Sequence, residues 1–252
     1  MNINMKHYKY LLVILTLFVV TACDVSKLSE EEVNDLGNLN VRVLISDGTH
    51  KNSSNSIVVY LTDKNQKKII NKDIKVLLNN TELDLYIKSE IYYQKIAYYH
   101  TDKLTEKNSY YFEIMLPDGN RYPLAYIQPL KKYDQTKFHI PKAVSITKDF
   151  TLRWDSLNFP TTLEIWKSVL DKNDSRKRSD GRYAESTLLD TISTYNGSFT
   201  VPRSFYEDSL TRADFLNVRI SSLEHGLTNP KLIQGSEISY MYLVEKTIER
   251  NE

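Results

Sequence analysis

Residues 74–87 read IKVLLNNTELDLYI. Ile74, Val76 and Leu78 fall on one face of an extended chain. Asn79-Asn80 is a turn pair, and Leu83, Leu85 and Ile87 alternate on the way back. An apolar alternation broken by two turn-forming residues is the signature of a β-hairpin. The same pattern extends in both directions. Val41, Val43 and Ile45 alternate upstream, and residues 57–61 (IVVYL) end at the polar turn 62–65 (TDKN). Downstream, residues 91–99 (IYYQKIAYY) and 110–116 (YYFEIML) are aromatic strands. Residues 117–120 (PDGN) turn the chain into a further strand over 122–127. No stretch of this half shows a capped 3.6-residue period. About seven short strands in about 90 residues predict a β-sandwich.

Residues 128–141 (QPLKKYDQTKFHIP) carry two prolines and mark a junction. Beyond it Phe150, Leu152 and Trp154 alternate, followed by Leu163 and Ile165 with Trp166 opposite. Residues 187–192, 198–201, 215–220 and 238–244 supply further strands, and 205–214 reads as one helical turn or a loop. The apolar-x-Trp strand, its partner strand and the late Leu216-x-Val218-x-Ile220 strand resemble a fibronectin type III or immunoglobulin-like module. The resemblance covers about 100 residues and implies an all-β architecture. The expected organisation is a segment 1–22, a tether 23–37, and two β-sandwiches over 38–140 and 141–252.

The segment 1–22 reads as an address. Lys6 and Lys9 precede the apolar run 11–20 (LLVILTLFVV), and small residues follow. That is the layout of a secretory signal, and the run is short of the roughly 20 apolar residues of a membrane span. Val20-Thr21-Ala22-Cys23 resembles the lipobox of bacterial lipoproteins. The resemblance implies cleavage before Cys23, lipid on its thiol and a palmitate-type acyl group on the new amino terminus. Cys23 is the sole cysteine, so no intrachain disulfide can form. Multiple acyl chains anchor stably where one anchors marginally. The implied place is the cell envelope, with the outer membrane favoured over the inner. Residues 24–37 (DVSKLSEEEVNDLG), with an acidic run at Glu30, Glu31 and Glu32, read as a solvated spacer.

The 252 residues carry 33 basic and 32 acidic side chains, a formal charge of +1. A global charge argument for nucleic-acid binding is absent. The seven glycines lie at least nine positions apart, so G-x-G-x-x-G, the P-loop and G-x-S-x-G cannot occur. Past the leader, His50, His100, His139 and His225 are scattered, with no zinc-type spacing. Residues 171–182 contain four oxygen donors, but Arg176 and Arg182 stand where an EF-hand loop needs Gly and Glu. No metal, no cofactor and no catalytic residue is expected.

Lys172, Arg176, Lys177, Arg178 and Arg182 make that same loop basic, a solvated hairpin tip or a patch for an acidic partner. Tyrosine is the remaining signal. Nine of the 18 tyrosines fall between Tyr86 and Tyr126, with pairs at 92–93, 98–99 and 110–111. Both faces of those strands therefore carry rings, although only one face can be core. The surplus rings either pack across strands or form a recognition platform. The expected function is non-catalytic: protein binding or scaffolding in the envelope. The alternative is a carbohydrate-binding lipoprotein that stacks sugars on Tyr92, Tyr98, Tyr111 or Trp166. The expected partners are the membrane, through lipid on Cys23, an envelope protein and a glycan.

Overall fold

The structure, a computed structural model, describes residues 33–48, 55–89, 95–103, 108–129, 134–145, 147–156, 161–171, 183–192, 196–209 and 211–251. Of 169–171 and 183–192 it describes the backbone alone. Cys23, Tyr92 and the basic loop with Lys172, Arg176, Lys177, Arg178 and Arg182 lie outside the described residues.

The chain is all-β. Its first half forms β1 (Asn40–Gly48), β2 (Ser56–Thr62), β3 (Lys75–Leu78), β4 (Thr81–Glu82), β5 (Asp84–Ser89), β6 (Lys95–Thr101), β7 (Tyr110–Met115) and β8 (Arg121–Ile127). The second half forms β9 (Phe138–His139), β10 (Ala143–Ser145), β11 (Phe150–Trp154), β12 (Thr161–Asp171), β13 (Tyr183–Ile192) and β14 (Gly197–Val201). A single helical turn, α1 (Arg203–Tyr206), precedes β15 (Thr211–His225), β16 (Leu227–Thr228) and β17 (Glu237–Asn251). Among the described residues, no helix is long and apolar enough to cross a membrane.

In the first half β1-β2-β6-β5 face a sheet ordered β8-β7-β3-β4. In the second, β9-β11-β14 face β13-β12-β15-β17. Both are immunoglobulin-type sandwich orders: β1, β2 and β6, and again β9, β11 and β14, take the A, B and E places, while β3, β7 and β8, and again β12, β15 and β17, take the C, F and G places. The inner faces follow the period of two. Val41, Val43, Ile45, Ile57, Val59 and Leu61 are buried and meet Val76, Phe112, Ile114 and Leu124 of the facing sheet. Phe150, Leu152, Trp154 and Val201 oppose Leu163, Ile165, Val218 and Val244 in the same continuous core.

The hairpin at 74–87 forms, with a difference. Asn79 and Asn80 adopt φ of 47° and 68°, the left-handed pair that a two-residue hairpin turn requires and Asn tolerates. However, the return strand β4 is only two residues long. The Leu83 N–H still donates to the Val76 carbonyl at 2.8 Å, and the chain then crosses to the opposite sheet. There β5 pairs with β6. Leu83 is buried at the crossing, so its burial outcompetes a longer ladder. The stretch 33–37, read as the end of a spacer, is also packed. Val33 and Leu36 are 2% exposed, and the Asp35 carboxylate caps the turn at Leu36–Asn38 by accepting the Gly37 N–H.

The two halves share strands. β15 and β17 each run 15 residues, about twice their apolar sequence signal, and pair from Phe215–Glu249 to His225–Ser239. The far part of β17, 249–251, pairs with β10, while 237–243 pairs in parallel with β1. The result is one nine-stranded sheet running through both sandwiches. The hairpin tip also reaches the opposite sheet, where β16 pairs with β8. Asn229 secures it, its N–H donating to the Leu124 carbonyl at 2.8 Å and its side-chain amide to that of Pro123 at 2.7 Å. On the other flank the Ile233 N–H donates to the Leu39 carbonyl at 2.8 Å. Gly226 lets the strands approach: a Cβ there would strike the Tyr126 carbonyl oxygen and the Ile127 side chain. The tip thus closes the open side of the first sandwich by gripping both of its sheets.

Tyr240 sits at the centre of this joint. It is 1% exposed, stacks on Tyr110 with centroids 6.2 Å apart, and donates its hydroxyl to the buried Asp47 carboxylate at 2.5 Å. Burial first, and then Asp47, push its pKa far above the ordinary tyrosine value. Burial and the Glu82 charge do the same for Tyr99, whose hydroxyl donates to the Ile74 carbonyl. A group with a raised folded pKa stabilises fully below its unfolded value, and that contribution fades as pH climbs. Thermal melts are therefore expected to hold steady up to about pH 10, the unfolded tyrosine value, and then fall steadily. Tyr240→Phe, read by circular dichroism, should flatten that alkaline fall.

Candidate functional site

The outer face of the nine-stranded sheet, over the first sandwich, presents an ordered row. Glu237 lies opposite Arg42, and Arg42 opposite Tyr60. Tyr98 follows on β6 and lies opposite Tyr86 on β5. The Tyr60 and Tyr98 rings are 6.0 Å apart and tilted by 50°, and the Tyr98 and Tyr86 rings are stacked at 5.8 Å. Strand spacing makes the five-strand row about 19 Å long. The neighbouring row adds His100, edge-on to both Tyr86 (5.4 Å) and Tyr98 (6.0 Å). The His100 Nε2 lies 3.1 Å from Asp102, which fixes the ring against the tyrosines. Tyr86, on the edge strand, is 46% exposed.

The Tyr60 end of the row opens into a cleft of about 550 Å³. Its lining is polar: Asn40, Thr62, Gln66 and Gln234, with Lys64 and Lys68 on one side and the Arg42–Glu237 ion pair (2.5 Å) on the other. The loop after β2 is built around Asp63, which is 2% exposed. Its Oδ1 accepts the N–H groups of Asn65 and Lys67, each at 2.8 Å. Gln66 is held at φ 61°, an uncommon conformation for a residue with a side chain. Thr62 and Lys68 close the loop through a β-bridge. The opposite wall, from Ile233 to Glu237, comes from the hairpin tip. Both halves of the chain therefore build the cleft.

The tyrosine pairs resolve as alternation requires. Tyr99 and Tyr110 point into the core at 4% and 2% exposure, while Tyr98 and Tyr111 point out. The expected platform residues do not converge. Tyr98 is in the row, whereas Tyr111 lies on the opposite sheet, its N–H bonded to Asn79 Oδ1. Trp166 lies on the outer face of the second sandwich, and Arg219 covers its ring at 5.4 Å. Arg219 is itself flanked by Glu164 and Glu245 at 3.7 and 3.4 Å. Trp166 is thus part of a cation–π and ion-pair cluster rather than a bare stacking surface. Sequence reasoning missed Tyr60 and Tyr86 as partners of Tyr98. The only available signal was their shared outward parity. Among the described residues, no group of three or more His, Cys, Asp or Glu side chains is placed to hold a metal ion.

Fold and site together define an all-β sandwich protein with an aromatic row and a polar cleft. No family model and no curated protein matches the chain. Among solved structures it is similar to SGBP-B of the Bacteroides ovatus mixed-linkage glucan utilization locus, solved with a mixed-linkage heptasaccharide. The identity is 14% over 90% of this chain and 46% of that one, with a TM-score of 0.22. It is also similar to the Yersinia pseudotuberculosis adhesin InvE, at 13% identity over 86% of this chain and 61% of that one, TM-score 0.20. The chain thus spans less than half of the first and about three-fifths of the second.

Proposed function

We propose that this chain is a non-catalytic glycan-binding module of the bacterial envelope, tethered through lipid on Cys23. Its two sandwich lobes, 38–140 and 141–252, are joined by the β15–β17 hairpin. The observation that carries the reading is the Tyr60–Tyr98–Tyr86 row opening into a polar cleft. Tyrosines offer apolar area for the C–H faces of sugars, and their hydroxyls exchange hydrogen bonds with sugar hydroxyls. Asn40, Gln66 and Gln234 add neutral donors and acceptors at one end. Screening residues 24–252 against an oligosaccharide array tests this. Tyr86→Ala and Tyr98→Ala are each expected to weaken a bound glycan about 30-fold, as loss of an aromatic anchor does. Trp166→Phe should leave binding unchanged. If no glycan binds, or if the tyrosine variants bind like wild type, the reading fails.

A second reading, protein scaffolding, is favoured by β5. It is an edge strand with Tyr86 and Ile87 46% and 45% exposed, open to addition of a partner strand. An Ile87→Lys change, which puts a charge on that exposed edge, would abolish a strand-adding partner while leaving the Tyr60–Tyr98–Tyr86 row on the sheet face in place.

A further inference from the structure

We infer that β5 pairs with β5 of a second copy of this chain, in antiparallel register about a two-fold axis through Tyr86. Such a dimer goes beyond the glycan reading and stands whether or not a glycan binds. Among the described strands, β5 ends the nine-stranded sheet, so one side of its backbone is open to a further strand. The residues of β5 decide which strand fits. Tyr86 lies opposite Tyr98 on the outer face, and Leu85 lies opposite the buried Tyr99. By alternation Asp84 and Lys88 share the outer face with Tyr86, and Ile87 shares the inner face with Leu85.

Two copies related by an axis normal to the sheet keep outer face beside outer face. Directly opposed residues then share parity, so the axis passes through a residue and not between two. With the axis at Tyr86, Asp84 lies opposite Lys88 of the partner subunit and Lys88 opposite Asp84 of the partner subunit. Symmetry thus makes the attractive pair twice, from side chains that are both exposed. On the inner face Ile87, 45% exposed, meets Leu85, which packs against the core. Moving the axis to Leu85 or to Ile87 sets Tyr86 against Asp84 or against Lys88, and within the strand no opposite charges then meet. A lysine on an edge strand ordinarily discourages pairing, whereas in this one register Lys88 favours it. The same register brings Tyr86 beside its own image, so the tyrosine rows of the two copies run on as one.

Sedimentation velocity of residues 24–252 tests this. Pairing over 84–88 is a small contact, so a reversible dimer with a Kd of about 1–100 μM is expected. Asp84→Lys sets lysine against lysine at both places, and Lys88→Asp sets aspartate against aspartate. Each variant is expected to weaken the dimer about tenfold or more, and to keep the far-ultraviolet spectrum of wild type because both positions are exposed. An equimolar mixture of the two variants should dimerise at least as well as wild type, since every lysine then faces an aspartate. Single cysteines read the register, because residues 24–252 contain none of their own. Tyr86→Cys should crosslink to its own image on mild oxidation, with opposed Cα atoms about 4.5–5.5 Å apart and within reach of a disulfide. Lys88→Cys should not, because its image lies about 13 Å further along the strand. A monomer at every concentration from about 1 to 500 μM, well past the expected Kd, overturns the proposal. So does a dimer that both charge variants leave intact, a mixture of the two that stays monomeric, or a Lys88→Cys crosslink as fast as that of Tyr86→Cys.

Discussion

Tyr240→Ala is expected to destabilise the protein by about 5 kcal/mol. Truncating a buried aromatic costs about 3–5 kcal/mol, and losing a hydrogen bond to a charged group adds about 1–3. The whole stability of a domain is about 5–15 kcal/mol, so this single change removes much of it. Its location makes the experiment informative. Tyr240 belongs to the last strand, but its partners are Tyr110 and Asp47 of the first half. Both tryptophans, Trp154 and Trp166, lie in the second half. Urea unfolding followed by tryptophan fluorescence therefore reports the sandwich that does not hold the damaged contact. Because β17 is common to both, the tryptophan transition should move to lower urea together with the far-ultraviolet signal. Tyr240→Phe keeps the ring and should lose only about 1–3 kcal/mol, the hydrogen-bond share. A tryptophan transition that stays put in Tyr240→Ala would show the halves to be energetically separate.

The first half on its own, residues 33–129, is expected not to give a cooperative melt. It would lack Leu232, Ile238, Tyr240 and Tyr242, all buried in the common core. Burial of each large apolar side chain is worth about 1.5–3 kcal/mol, so the loss is comparable to the stability of the lobe. It would also expose the β1 edge, from Arg42 to Gly48, that β17 covers. An uncovered strand edge invites association between chains. Gel filtration and differential scanning calorimetry of 33–129 should show aggregates and no sharp transition. Fusing 226–244 after residue 129 through a flexible Gly/Ser linker should restore a monomer with a defined transition. A sharp melt of 33–129 alone would mean that the tip is decoration.

The strands were largely legible because their alternation is local. The runs at 41–45, 57–61, 110–116 and 150–154 each fall within the observed β1, β2, β7 and β11 or overlap them closely. The turn at Asn79-Asn80 was legible for the same reason, since Asn suits positive φ. What came next was not, because the crossing at Leu83 depends on which sheet needs a buried leucine. The pairing of β1 with β17 left no trace in the sequence. Parallel neighbours share no turn, and Arg42 and Glu237 meet across 195 positions. The lengths of β15 and β17 were hidden too, since their outer ends carry polar residues on both sides of the apolar signal. The tyrosine row was half legible. Parity placed Tyr98 and Tyr111 outside once Tyr99 and Tyr110 were inside. It could not reveal that Tyr60, Tyr98 and Tyr86 stand side by side, because that needs the order β2-β6-β5 and the register between the strands.

The parallel direction of β1 and β17 sets how the molecule answers to force. The chain enters β1 at Asn40, Arg42 lies beside Glu237, and β17 carries on from there into the second sandwich. Suppose the amino-terminal side is held and a load is applied at the far end of β17. The two strands are then drawn past each other along their length. All seven paired positions, from Arg42–Glu237 to Gly48–Leu243, share the load at once instead of parting one after another. A joint loaded in shear resists far more than one that unzips. Resistance along that line therefore grows with the length of the paired seam, and the seam spans nearly the whole of β1.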